Sequence, residues 1–154
     1  MYNSNKRGRK SKYTPEEIWD YIKKELSIMD FYDFSDTLAK IDWAADNIPA
    51  AIIAGRTLYK PQGQFAVITA QQDNPAIHAA VTQWLKTHYG AQCARVYFVT
   101  GGESNIIKAK SRILAEQNAD SFTDNNTNIL RGIRAELPSL RLYQVTDGKR
   151  SAWR

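Results

Sequence analysis

Four clusters of polar residues, each following an apolar run, hold the side chains of this sequence best placed to bind or react. They are Asp33 to Thr37, Thr69 to Gln72, the Thr100-Gly101-Gly102 turn, and Asp124-Asn125-Asn126. Singly, carboxylates, hydroxyls and amides at such points serve as turn formers and helix caps. Delivered together to one edge of a parallel sheet they make a ligand site, because open α/β sheets bind ligands beyond the carboxyl ends of their strands. A fifth group is purely cationic: Lys6, Arg7, Arg9, Lys10 and Lys12 fall in a segment without an acid. Such a run either attracts a polyanion, since each phosphate it neutralises releases condensed counterions, or serves as a solubilising tail.

The elements that must position these clusters alternate. Thr14-Pro15-Glu16-Glu17 starts a helix, with Thr14 as cap, Pro15 in the first turn and Glu17 completing a capping box. Ile18, Tyr21, Ile22 and Leu26 follow at helical spacing, which predicts that this helix packs on the edge of the body. Residues 28–34 form a first strand ending at Ser35-Asp36, and Trp43, Ile48 and 50–54 give one helix before a turn at 60–63. A strand at 65–68 precedes a helix whose face is Ile77, Ala80, Val81, Trp84 and Leu85 and which Gly90 ends. Then come a strand at 96–99, a helix at 105–117, a strand at 121–123, a helix marked by Ile129, Leu130, Ile133 and Leu137, and a last strand at 140–145. This order predicts an α/β fold, a parallel sheet with helices on both faces and right-handed crossovers.

A length of 154 residues fits one domain, divided here into a basic flexible arm at 1–13 and a single α/β domain at 14–154. No apolar run approaches the roughly 20 residues needed to cross a bilayer, so no membrane partner is expected. The polar, basic start is unlike a secretory signal, and the lone Cys93 has no second cysteine for a disulfide or metal site; both point to the cytoplasm. The formal charge of +5 resides in the arm, because the other 16 basic residues balance 16 acidic ones. Within it, Arg7-Gly8-Arg9 resembles the core of an AT-hook, whose arginines lie in a narrow minor groove.

The order of the strand-end clusters resembles the haloacid-dehalogenase-like phosphohydrolase superfamily. Its Asp-x-Asp-x-Thr motif reads Asp33-Phe34-Ser35-Asp36-Thr37-Leu38 here, and its strand-terminal Ser or Thr is matched by Thr69 in Val67-Ile68-Thr69-Ala70. Its helix-borne lysine is matched by Lys110, with Lys108 as second choice, and its final acids by Asp124 and Asn125. The likeness runs from about Ile28 to Gly148, and the segment from Asp124 to Gly148 looks most like the phosphatase domains of polynucleotide kinase-phosphatases.

That resemblance implies a hydrolase in which Asp33 attacks phosphorus, Thr69 binds the transferring group and Lys110 balances its charge. It implies Mg²⁺ held by Asp33, the Ser35 carbonyl, Asp124 and Asn125. Only about 25 residues separate Leu38 from Phe65, too few for a large cap, so an open site taking a phosphorylated nucleotide or nucleic acid is expected. Ser35 stands where the family has an aspartate that protonates the leaving oxygen, an omission that loses about 10²- to 10⁴-fold in rate. Asn125 likewise drops a charge. The rival reading is therefore a catalytically degenerate protein that binds nucleic acid or a protein partner.

Overall fold

The alternating pattern resolves into α1 (Pro15–Glu25), β1 (Asp30–Tyr32), β2 (Ala39–Lys40), α2 (Ile48–Ile53), β3 (Arg56–Thr57), β4 (Phe65–Ala70), α3 (Pro75–Tyr89), β5 (Cys93–Val99), α4 (Glu103–Glu116), β6 (Ser121–Asp124), α5 (Thr127–Glu136), β7 (Arg141–Thr146) and β8 (Lys149–Ala152). The structure is a computed structural model describing residues 12–25 and 29–154. Lys6, Arg7, Arg9 and Lys10 lie outside the described residues, and Lys12 is exposed.

Six strands form one sheet in the order β5-β4-β1-β6-β7-β8, and β2 pairs with β3 in a separate antiparallel ribbon. The first five strands of the large sheet run parallel. At its centre, five consecutive residues of β4 and all four of β6 are buried, as strands covered on both faces must be. Alternation then sorts side chains between two cores. Tyr32, Phe34, Phe65 and Val67 face α2 and α3, where Trp84 packs edge-on to Phe34 and donates to the Gly55 carbonyl at 2.8 Å. Phe31, Ala66, Ile68 and Phe122 face α4 and α5, against Leu114, Leu130 and Ile133.

The helices begin where their caps dictate. Asn74 accepts from the backbone of Ala76 and Ile77 ahead of α3, and Asn126 accepts from Asn128 and Ile129 ahead of α5. Thr14 and Glu17 bond reciprocally at 2.9 and 3.1 Å, the capping box expected at α1. Helices α4 and α5 approach so closely that a Cβ on Gly132 would lie 2.4 Å from Ile107 Cδ1.

Three expectations change. The sheet is not wholly parallel: Asp147 (φ 51°) and Gly148 (φ 79°) turn the chain back, and β8 pairs antiparallel with β7. Two consecutive positive φ values make the tight loop whose twist suits a hairpin. On the expected apolar side of helix α1, Ile18 and Tyr21 are exposed and Ile22 is half-buried, while Leu26 lies outside the described residues. Amphipathic spacing gives a helix an apolar side without providing a groove to receive it. Trp43 stands outside α2 and is 67% exposed, so the segment after β2 is a turn before a six-residue helix. Among the described residues no helix is long and apolar enough to cross a membrane.

Candidate active site

Register brings the two central carboxylates together. Phe31 of β1 is level with Phe122 of β6, and both face α4. Two residues further on, Asp33 and Asp124 therefore stand level and on that same face. The Asp33 amide donating to the Thr123 carbonyl at 2.8 Å extends the pairing just past the end of β1. Lys110 meets them from α4, whose inward stripe of Ile106, Lys110 and Leu114 repeats every four residues. Its Nζ lies 5.2 Å from the centre of the Phe122 ring and donates to Asp33 Oδ1 at 3.0 Å and Asp124 Oδ2 at 3.2 Å. Lys108, two residues earlier, is exposed, so the structure brings Lys110 rather than Lys108 to the carboxylates.

A tight turn closes over this triad. The Phe34 carbonyl accepts from Leu38 at 2.9 Å and Ala39 at 3.1 Å, and the Asp36 amide donates to the Ala39 carbonyl at 2.7 Å. The turn holds Asp36 at φ 60° and directs it outward to Lys40 at 3.8 Å, away from the buried lysine. It also folds the buried Thr37 back, its hydroxyl 3.5 Å from Asp33 Oδ2 and 3.4 Å from Asn125 Oδ1. The Asn126 amide donates to Asp124 Oδ1 at 3.0 Å, and Gln144 donates to the Asn125 carbonyl at 3.4 Å. Thr37 and Asn126 belong to the strand-end clusters that the sequence marks, without an assigned role, whereas Gln144 lies within a strand and carries no such signal. Thr37 was legible in principle, as the last residue of the Asp-x-Asp-x-Thr pattern.

Burial sets the electrostatics. Asp33, Lys110 and Asp124 are 8%, 2% and 1% exposed, so water does little to solvate their charges. Desolvation, followed by the Asp124 charge, raises Asp33 to about 7, against the lowering effect of Lys110. For Lys110, burial pushes down, but Asp124 and Asp33 more than offset it and leave the ammonium above the usual lysine range. Two carboxylates facing one ammonium carry a formal charge of −1 when all are ionised. A dry, electron-rich triad of this kind attracts cations.

The oxygens not bonded to Lys110 are Asp33 Oδ2 and Asp124 Oδ1. One end of the Asn125 amide lies 3.3 Å from the Ser35 carbonyl oxygen and 3.1 Å from Asp124 Oδ1. If that end is nitrogen, it donates to both; if oxygen, three acceptors face one another and a cation reconciles them. Two carboxylates, a backbone carbonyl and an amide form an all-oxygen set, which suits Mg²⁺ with waters completing its shell. Among the described residues no three His, Cys, Asp or Glu side chains form a metal group, so such an ion would depend on two carboxylates and neutral oxygens. On donor chemistry the residues fit.

Thr69 belongs to the same sheet edge but not to the triad. Its parity with Phe65 and Val67 sends it to the α3 side, where it is buried and accepts from Gln71 Nε2 at 3.0 Å. Two concavities lie near the carboxyl ends of the strands. A groove of about 430 Å³ beside β7 has Asp36, Lys40, Arg56, Asn125 and Asp147 in its wall. A cavity of about 310 Å³ lies at the ends of β4 and β5. No protein-family model matches the chain, and no curated protein matches it.

Proposed function

We propose that the chain is a Mg²⁺-dependent phosphohydrolase that removes a terminal phosphate from a nucleotide or nucleic acid through an aspartyl-phosphate on Asp33. The observation carrying this reading is the buried triad, in which Lys110 holds one oxygen of each carboxylate and leaves the other to neutral donors, Thr37 at Asp33 and the Asn126 amide at Asp124. A structural ion pair needs only one acid per lysine, and this one keeps an extra negative charge where burial makes it costly. On this reading the fold is of the haloacid-dehalogenase-like kind, with the β2–α2–β3 segment as a minimal cap.

Asp33, the Ser35 carbonyl, Asp124 and Asn125 would hold the ion, which supplies charge neutralisation and Lewis acidity at the phosphate oxygens. Lys110 fixes the Asp33 carboxylate through one lone pair of Oδ1, leaving that oxygen's other lone pair for the ion, so Oδ2 is the oxygen that attacks. It forms a bond to phosphorus as the bond to the leaving oxygen breaks. A water then attacks the same phosphorus, the P–O bond to Asp33 breaks, and inorganic phosphate leaves with the carboxylate restored. Thr37 steadies Oδ2, and Thr69 offers a hydroxyl at the neighbouring strand end. Because Ser35 does not protonate the leaving oxygen, water must, and turnover is slow. Lys40 and Arg56 beside Asn125, together with the basic arm, suit a substrate with several phosphates. A reducing cytoplasm suits the single Cys93.

Phosphate release from a 3′-phosphorylated oligonucleotide and from an aryl phosphate, with Mg²⁺, tests this directly. Asp33→Asn should reduce it to background, and Ser35→Asp should raise it by about 10²- to 10⁴-fold. Activity surviving Asp33→Asn rules out the covalent route. If neither the parent nor Ser35→Asp releases phosphate, Ser35 marks a binding protein instead.

A further inference from the structure

The cavity at the ends of β4 and β5 differs in kind from the groove across the site. Its wall includes Trp43, Ile77, Ile106, Gln71, Gln72 and Thr100, and no acidic or basic residue lines it. At about 310 Å³ it lies at the small end of ligand sites, which run roughly 300–1,000 Å³. Trp43 contributes a ring that is 67% exposed, on a backbone that is well held: Asp42 Oδ1 accepts from Ala44 at 3.1 Å, and the Asp42 carbonyl accepts from Ala45 at 3.2 Å. A large aromatic kept at a cavity rim by a fixed turn offers a stacking face. Gly101, at φ 108°, lets the backbone after β5 line the opposite side.

The cavity is also joined to the reactive end of the sheet. Gln71, the residue after β4, lines it and donates to Thr69 Oγ1 at 3.0 Å, and β4, which carries Thr69, is the immediate neighbour of β1, which Asp33 follows. Adjacent strands lie about 4.8 Å apart, so one or two strand spacings, a sugar's reach, separate Asp33 from the cavity. An uncharged wall excludes phosphate, an aromatic rim favours a flat ring, and amide and hydroxyl groups suit its polar edge.

Resting on the phosphohydrolase reading, we infer that this cavity is a nucleobase subsite, with the base stacked on Trp43 and edge-bonded by the Gln71–Gln72–Thr100 wall while the phosphate lies over Asp33. The substrate is then a nucleotide read through its base, and the groove with Lys40 and Arg56 is left for the rest of a chain.

Calorimetric titration of the full chain with Mg²⁺, carrying Asp33→Asn throughout to prevent turnover, tests it with adenosine 5′-monophosphate, ribose 5-phosphate and adenosine. The mononucleotide should bind about 5- to 150-fold more tightly than the sugar phosphate, the worth of one stacked base. Trp43→Ala should bring the two within about twofold, and Trp43→Phe should keep most of the preference. Equal affinities in the parent, or a preference that survives Trp43→Ala, overturn the subsite. If neither phosphate compound binds, the phosphate site is at fault; adenosine binding abolished by Trp43→Ala then still upholds the subsite, and its absence in the parent overturns it.

Discussion

Replacing Lys110 with Met removes the ammonium but keeps much of the aliphatic stem that packs over Phe122. Asp33 and Asp124 are then left facing each other in a pocket closed to solvent. Removing one partner of a buried ion pair costs about 3–5 kcal/mol, because the remaining charge has neither water nor a counterion. The structure also fixes how this penalty moves with pH in the absence of divalent cation. In the parent, Asp33 is raised to about 7, and Lys110 is what keeps it from rising further. The variant therefore retains a proton on Asp33 to higher pH. Below about pH 7 both proteins hold that proton when folded, and their difference is constant. Above it only the variant does, so its stability keeps falling with pH while the parent levels off. The penalty should grow from pH 7 to 9 by at most about 1.4 kcal/mol per unit, the worth of one proton. Urea unfolding at pH 6 and pH 9, followed through the buried Trp84, measures it. A penalty below about 1 kcal/mol at pH 9, or one that shrinks as pH rises, would refute the electrostatic reading of the triad.

Asp33→Asn should reverse part of that dependence. Because the folded-state pKa of Asp33 lies above its unfolded value, its stabilising contribution is complete below about pH 4 and lost as pH rises through about 7. The parent should therefore gain on Asp33→Asn as pH falls across that window, by up to about 1.4 kcal/mol per unit; thermal melts of both at pH 5 and 8 check the sign. Deleting residues 1–12 should flatten the salt dependence of nucleic-acid binding by a log-log slope of up to about 4.5, one basic residue per phosphate. An unchanged slope in fluorescence anisotropy titrations would leave the arm no role in that binding.

Local sequence determined much of this protein's scaffold. The Thr14–Glu17 capping box, the caps at Asn74 and Asn126 and the inward stripe of α3 follow from residues within a few positions of one another, and the structure has them. Alternating strand and helix signals dictated a mainly parallel sheet, since strands running the same way need crossovers. The hairpin of β7 and β8 has its signal in Asp147-Gly148, beyond the last strand that the alternation predicts. The two-residue strands β2 and β3 had no periodicity to reveal them.

The sequence also placed Asp33 and Asp124 after strands and put Lys108 and Lys110 on one helix. Which lysine turns inward was decided by how α4 packs on the sheet, and that choice separates an exposed cation from the buried partner of two acids. The level of Asp33 with Asp124 depends on the pairing of β1 with β6, elements 91 residues apart at Asp30 and Ser121. Strand parity sent Thr69 to the other side, and the turn after β2 left Trp43 exposed rather than buried. Spacing along a chain fixes which residues share a face of their own element. Only tertiary contact decides which faces meet, because the pairing and burial that choose among them arise between residues far apart in sequence.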